Sequence, residues 1–295
     1  MQDETIKILF GKNGIAFIPI IKSITSTLKS YEYEFLEEKA FDKLMKTNQV
    51  KAMNIYWREI IMRAHFSAIT TLLRSQQWIN GAILAYESHN YLSFMATFRG
   101  FLESAVDSFD ALSSVPIALA ENFNTIESII TEKNRTAQII ISKELEDTLI
   151  HFSHGKKTKK ADNAPDSHKA KTIRDYISSL ERKDSSEIGD CYSELCESTH
   201  PAGQSVYVFT EIIDSKSGKF TFSQTKDKIN IESFCNRHKN IFDLLFQAQF
   251  NTSLFILRIL NSFSIKEFET ESINSISLKN IKGWRKIENY LPNKI

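Results

Sequence analysis

Four groups of side chains in this 295-residue chain have types and spacings that could carry chemistry. Glu144, Asp147, His151 and His154 recur at intervals of three and four, which puts them on one face of a helix. Two imidazoles within reach of each other, with Asp147 orienting His151, suit proton transfer near neutral pH. The competing reading is a helix end whose histidines complement the last carbonyls and the dipole. A basic run follows: Lys156, Lys157, Lys159, Lys160, Lys169, Lys171 and Arg174, against only Asp162 and Asp166 in the same stretch. With His168 among them, these cations suit a phosphate ligand or an RNA backbone. No aromatics are interleaved, so base stacking is not expected, and a solvated loop is the alternative.

The third group is Arg99, Glu103 and Asp107 at i, i+4 and i+8, on one helix face. Phe94, Phe98, Phe101, Ala105 and Phe109 occupy the other face. Small Ser93, Gly100 and Ser104 flank the charged stripe and would let a neighbouring helix approach closely. Half-buried, Glu103 would be an acid–base group, and the alternative is an interhelical ion pair or a solvated face. The fourth group is Tyr192 to Pro201, where His200 precedes a proline that biases it out of the helical region. Cys196 lies four residues before His200, but a Cys–His nucleophile also needs a lowered thiol pKa, and spacing alone does not supply one. A buried cysteine and a capping histidine are the plainer reading.

No cofactor or metal is expected. Gly11-Lys12-Asn13-Gly14 has neither phosphate-loop spacing, and HExxH and CxxC are missing.

These groups need elements to position them. Gly (9) and Pro (5) are scarce, and between Pro19 and Pro116 the only breakers are Gly81 and Gly100. Within that stretch apolar residues and His65 recur at three and four, from Ile55 to Leu112, which predicts long amphipathic helices. The expected helices cover 31–47, 49–75, 77–112 with a kink at Gly81 or Asn90, 117–131 and 135–154. Asn134 would cap the last of these, and Gly155 would be its C′ residue. Residues 155–167 read as a polar basic loop, followed by helices over 167–180, 187–197 and 229–263. Gln204–Glu211 and Lys219–Gln224 are β-branched and aromatic around Asp214–Gly218, which predicts one β-hairpin. The fold class is therefore all-α, a mostly helical bundle with a small hairpin near 204–224, in a single domain over 1–295.

Composition excludes several classes. Lys+Arg (37) against Asp+Glu (36) gives a net charge of +1, so no global charge calls for nucleic acid or an anionic membrane. The start, Met1-Gln2-Asp3-Glu4, is acidic, and uninterrupted apolar runs such as Ile15–Ile21 fall short of the ~20 residues that span a bilayer. Cys191, Cys196 and Cys235 are too few and too odd for a secreted disulfide framework. The expectation is a cytoplasmic protein that does not engage a membrane.

Trp78–Leu112, with NYLSFMATFRGFLESAVDS at its centre, combines with Leu145–Asp147, His151–His154, His168–Lys171 and Leu195-Cys196…His200-Pro201. Over residues 75–210 this combination resembles a group of uncharacterised, mostly helical bacterial proteins. More loosely the plan is similar to HEPN-type domains, which include metal-independent RNases of toxin and defence systems. Their motif is Arg, four to six residues, then His. Only Arg58 and His65 match it, as chance alone would produce, so that pair is not carried over.

The functional expectation is a protein that binds RNA or another phosphate ligand, with HEPN-like, metal-independent RNA cleavage as its sharpest form. His151, His154, His200 and Glu103 would be catalytic, and Lys156, Lys157, His168, Lys169 and Lys171 would hold phosphate. Arg99, Asp107 and Asp147 would form ion pairs of the structure or the site. The alternative is a non-catalytic interaction protein, a homo-oligomer or the partner of an operon-encoded protein in a defence or regulatory operon. Its Phe-rich helices would cover a partner surface as well as a core.

Overall fold

A computed structural model describes residues 2–133, 139–157, 164–184, 187–223 and 225–292. The helices are α1 (Gln2–Ser26), α2 (Glu38–Thr47), α3 (Gln49–Glu87), α4 (Tyr91–Leu112), α5 (Val115–Glu121), α6 (Phe123–Ile130) and α7 (Lys143–His154). They continue with α8 (Ile173–Asp184), α9 (Ile188–Thr199), α10 (Gly203–Tyr207), α11 (Asp227–Arg237), α12 (Lys239–Leu260) and α13 (Lys282–Glu288). Among the described residues, strands β1 (Thr210–Asp214) and β2 (Lys219–Phe222) form the one sheet, an antiparallel hairpin. The protein is all-α with a small hairpin.

The chain divides into two compact units. Unit one holds Met1–Ile21, Leu73–Asp107 and Thr172–Gln249; unit two holds Lys22–Leu72, Ser108–Lys171 and Phe250–Ile295. The core of unit one is phenylalanine. Phe98 meets Phe242 edge-on with centroids 4.3 Å apart, Phe94 stacks on Phe98 at 6.0 Å, and Phe10 tilts against Phe246 at 5.5 Å. Such pairs add directional preference to the area they bury. In unit two Phe123 stacks on Phe263 at 4.5 Å, and buried Trp57 donates its indole N–H to Ile140 O.

Several boundaries differ from the sequence reading, each for a local reason. Residues 2–26 form α1, where no helix was expected, with two helical pieces joined at Gly11 (φ 62, ψ −154). By length and composition, residues 3–26 would suffice to cross a bilayer, although the apolar run within them is short. In this fold Ile6, Leu9, Phe10, Phe17 and Ile18 are buried in unit one.

Residues 31–37 are extended rather than helical. Tyr31-Glu32-Tyr33-Glu34-Phe35 alternates with period two, so both tyrosines turn inward on His65 and both glutamates face water. α3 runs on through 76 and ends at Ser88–Asn90, where His89 takes a left-handed φ of 53° and the Asn90 side chain caps Ser93 N. Of the two expected kink sites, Asn90 is the break. Gly81 stays helical, and a Cβ there would lie 2.9 Å from Thr97.

α7 begins at Lys143 because Ile140 O and Ser142 are engaged by Trp57 and Tyr56 instead of a helical turn; the Asn134 cap lies outside the described residues. The helix expected over 117–131 divides at Asn122, whose side chain bonds Ala118 O, and the one over 229–263 divides at His238. Gln204–Tyr207, expected as the first half of a strand, instead belong to the short helix α10, tied by Ser205 N to Ala202 O.

Candidate functional site

Unit two holds the histidines and lysines of the basic stretch. α7 buries Leu145 and Leu149, which sets Lys143, Asp147, His151 and His154 toward its accessible sides. Asp147 does not orient His151. It is ion-paired with Lys143, one turn back, while His151 Nδ1 donates to Ser167 O at 3.2 Å. The helix ends at Gly155, which is not the left-handed C′ residue expected, since its φ is −58°. Glycine is required here by proximity, because a Cβ would stand 2.6 Å from His151 O.

From Gly155 the chain leaves through Lys156 and Lys157; residues 158–163, with Lys159, Lys160 and Asp162, lie outside the described ones. It returns through a 3-10 turn, Asp166–His168. Lys156 N donates to His168 O and Ala170 N donates to Lys156 O, both at 3.0 Å, so Lys156 and Lys169 form a parallel bridge that closes the loop. That closure brings His168 onto His154, with rings 22° from parallel and centroids 5.7 Å apart. Ser153 Oγ lies 2.7 Å from His154 Nδ1. Partial desolvation, then the positive charge of Arg63, then His168, lower the His154 pKa below the ordinary imidazole value. Arg63, from α3, also lies over the Phe35 ring at 4.0 Å.

The cations divide by role. Lys156 and Lys157 are exposed beside the imidazole pair. Lys169 reaches Asp166 at 2.7 Å in an exposed pair, the kind that contributes little and yields readily to a stronger anion. Lys171 holds Asp110 at 2.6 Å, and that carboxylate is only 9% exposed, so this ammonium serves the fold.

Unit one holds the charged stripe of α4. Arg99 is a fully committed hub: Nε donates to Glu103 at 2.9 Å, NH1 to His200 Nε2 at 3.0 Å and Thr199 Oγ1 at 3.3 Å, and NH2 to Tyr192 Oη at 3.3 Å. Tyr192 in turn donates to Glu103 at 3.0 Å, and burial first, with Cys196 and Glu103 next, pushes its phenol up to about 12. His200 Nε2 therefore accepts a hydrogen bond from a guanidinium, and Glu103 is neutralised by Arg99. The cluster ties α9 to α4 and leaves the Arg99 guanidinium little capacity for a substrate anion. Asp107 pairs with Arg74, a partner the stripe did not suggest, at 2.7 Å. Trp78 lies over Gly100, where a Cβ would be 2.7 Å from the indole, so a helix does approach the small residues closely.

The remaining nucleophile and ligand types are structural. Cys191 and Cys235 are buried thiols whose pKa burial raises, opposite to an activated thiolate. Fully buried His65 contacts Tyr33 Oη through Nδ1 at 2.8 Å and Thr270 Oγ1 through Nε2 at 3.3 Å, so the lone Arg–His spacing leads into a core. His238, which no spacing had flagged, bonds Glu194 at 2.8 Å. Among the described residues no three His, Cys, Asp or Glu side chains converge as a metal site would. Comparisons with family models, with curated proteins and with solved structures return no match to this chain.

Proposed function

We propose that the protein binds RNA through its phosphates at the His154–His168 cluster of unit two and cleaves it without a metal. The observation that carries this reading is the face-to-face imidazole pair, held by the Lys156–Lys169 bridge with Lys156 and Lys157 exposed beside it. Cleavage through the 2′-hydroxyl needs a base, an acid and a cation. His154, with its lowered pKa, is unprotonated at neutral pH and takes the 2′-hydroxyl proton. The O2′ then forms a bond to phosphorus, the P–O5′ bond breaks, and His168 donates a proton to O5′. The products are a 2′,3′-cyclic phosphate and a 5′-hydroxyl, and proton exchange with water resets both rings. Lys156, Lys157 and Lys169 offset the charge that grows on the phosphoryl oxygens, while His151 fixes the loop through Ser167. Glu103 and His200 take no part.

The test is cleavage and binding of single-stranded RNA at low salt with chelator present. Wild type is expected to cut, and His154→Gln or His168→Gln to lose at least about a hundredfold in rate. Replacing Lys156, Lys157 and Lys169 by Ala is expected to weaken binding and flatten its salt dependence by up to about three phosphate contacts. Wild type that neither binds nor cuts RNA under these conditions overturns the reading.

A further inference from the structure

Unit two forms a cavity of about 550 Å³ beyond the end of α12, within the size range of small-ligand sites. Arg258, from the last turn of that helix, lines the cavity and is only 7% exposed. Its guanidinium holds the loop that follows: NH1 donates to Asn274 O at 3.3 Å and to Asn274 Oδ1 at 3.2 Å, and NH2 to Ile276 O at 2.6 Å. One NH2 hydrogen is left over, and Nε–H is buried without an acceptor. Among the described residues no carboxylate comes within ion-pairing distance of Arg258, and none lines the cavity. Burial lowers the guanidinium pKa, and the charge of Glu288 offsets this only in part. A cation can complement the end of a helix from the surface, whereas a buried one without a carboxylate carries a desolvation cost.

The other polar side chains of the lining divide into committed groups and spare donors. Asn261 exchanges hydrogen bonds with Thr270 and donates to Asn274 Oδ1, each at 2.9 Å. Ser262 Oγ donates to Arg258 O at 3.3 Å, and Ser264 commits its hydroxyl and its N–H to Glu127. Asn274 Oδ1 accepts from both Arg258 and Asn261, which fixes the orientation of this amide and leaves its Nδ2 hydrogens to give. Lys266 meets Glu269 at 3.2 Å in a pair whose lysine is 67% exposed, so its ammonium yields readily to a stronger anion. The spare groups are all donors, and two of them carry positive charge.

We propose that this cavity binds the phosphate group of a small molecule, held by Lys266, the Asn274 amide and the remaining NH2 hydrogen of Arg258. Two cations suit a dianion, and donors on three separate side chains suit a tetrahedral oxyanion with several free oxygens better than a single carboxylate. None of these residues belongs to the His154–His168 cluster, so the site is independent of RNA cleavage.

Equilibrium dialysis of the full chain with radiolabelled inorganic phosphate at fixed ionic strength tests this. Lys156, Lys157 and Lys169 are replaced by Ala throughout, so that the cations of the RNA site do not contribute. This background protein is expected to bind one phosphate per chain, displaced by sulfate and not by equimolar acetate. Asn274→Asp keeps the two accepted hydrogen bonds, removes the amide donors and gives Arg258 a carboxylate. Lys266→Gln removes a cation at an exposed position and reads out the site without disturbing the loop. Each is expected to weaken phosphate binding at least about tenfold. A background protein that binds no phosphate overturns the proposal, as does undiminished binding by N274D or K266Q. Displacement by acetate as effective as that by sulfate also overturns it and gives the cavity to a carboxylate.

Discussion

His154 and His168 stand fourteen positions apart in the chain, yet their rings lie face to face with centroids 5.7 Å apart. Two backbone hydrogen bonds enforce this, Lys156 N to His168 O and Ala170 N to Lys156 O, together with the abrupt exit of the chain from α7 at Gly155. Catalysis of the proposed kind depends on bringing two proton-transfer groups to one phosphodiester, so the loop closure is as important as either imidazole.

Gly155→Ala should therefore impair the site without touching a catalytic group. A Cβ at this position would be 2.6 Å from His151 O, and relieving that contact must move the start of the loop. The expected result is at least about a tenfold loss of RNA cleavage, with an overpacking cost of about 1–3 kcal/mol in chemical denaturation. Cleavage at the wild-type rate would show that the Gly155 exit does not set the imidazole pair.

The pH profile should report His154. A general base must be unprotonated, and its pKa is lowered by partial desolvation and then by Arg63. The acidic limb of kcat/KM is thus expected below the ordinary imidazole value near 6.5. Arg63→Gln removes a neighbouring positive charge, which raises the His154 pKa and moves that limb upward. An acidic limb that R63Q leaves in place would assign the base to another group. Titration of the imidazole resonances by NMR gives the same answer without substrate.

How far the sequence foretold this arrangement depends on the kind of signal. The 3.6-residue periodicity through Phe94, Phe98 and Phe101 located α4 and its buried face, because burial on one side of a helix leaves that repeat in the residues themselves. Tyr31-Glu32-Tyr33-Glu34-Phe35 also carries a signal of its own, an alternation of two that runs against the helix expected over 31–47. α1 was hidden because Gly11, Gly14 and Pro19 read as breakers, although Gly11 joins two helical pieces.

The site divided in the same way. His151 and His154 were visible as a stripe, and His168 as one more cation-neighbourhood residue. Their convergence depends on a bridge between Lys156 and Lys169, and no side-chain pattern encodes that backbone pairing. Arg74 with Asp107 and Lys171 with Asp110 were equally illegible, since each joins charges far apart in sequence.

Lys171 should behave as a structural residue although it belongs to the basic stretch. Its ammonium satisfies Asp110, a carboxylate only 9% exposed, and removing one partner of such a pair leaves a poorly solvated charge. Lys171→Ala is expected to destabilise unit two by about 1–3 kcal/mol, and Asp110→Asn in the same chain to restore part of that loss. The salt dependence of RNA binding should stay unchanged. A K171A protein of normal stability with a flatter salt slope would return this lysine to the phosphate-contacting set.

His65 links pH to folding independently of any ligand. Burial lowers its pKa from 6.5 to about 4, and its neutral ring bridges Tyr33 and Thr270. As pH falls the unfolded chain takes up this proton first, so the stability that neutral His65 supports is complete above pH 6.5. It is lost progressively as the pH drops from 6.5 towards 4. One group shifted this far contributes roughly 3 kcal/mol to that loss. Urea denaturation at a series of pH values between neutrality and 4 should show the decline, and His65→Gln should flatten it while lowering stability at neutral pH. The aromatic packing of Tyr31, Tyr33 and Phe268 around the ring makes the effect specific to this position. An equally steep decline in H65Q would place the acid sensitivity on other groups.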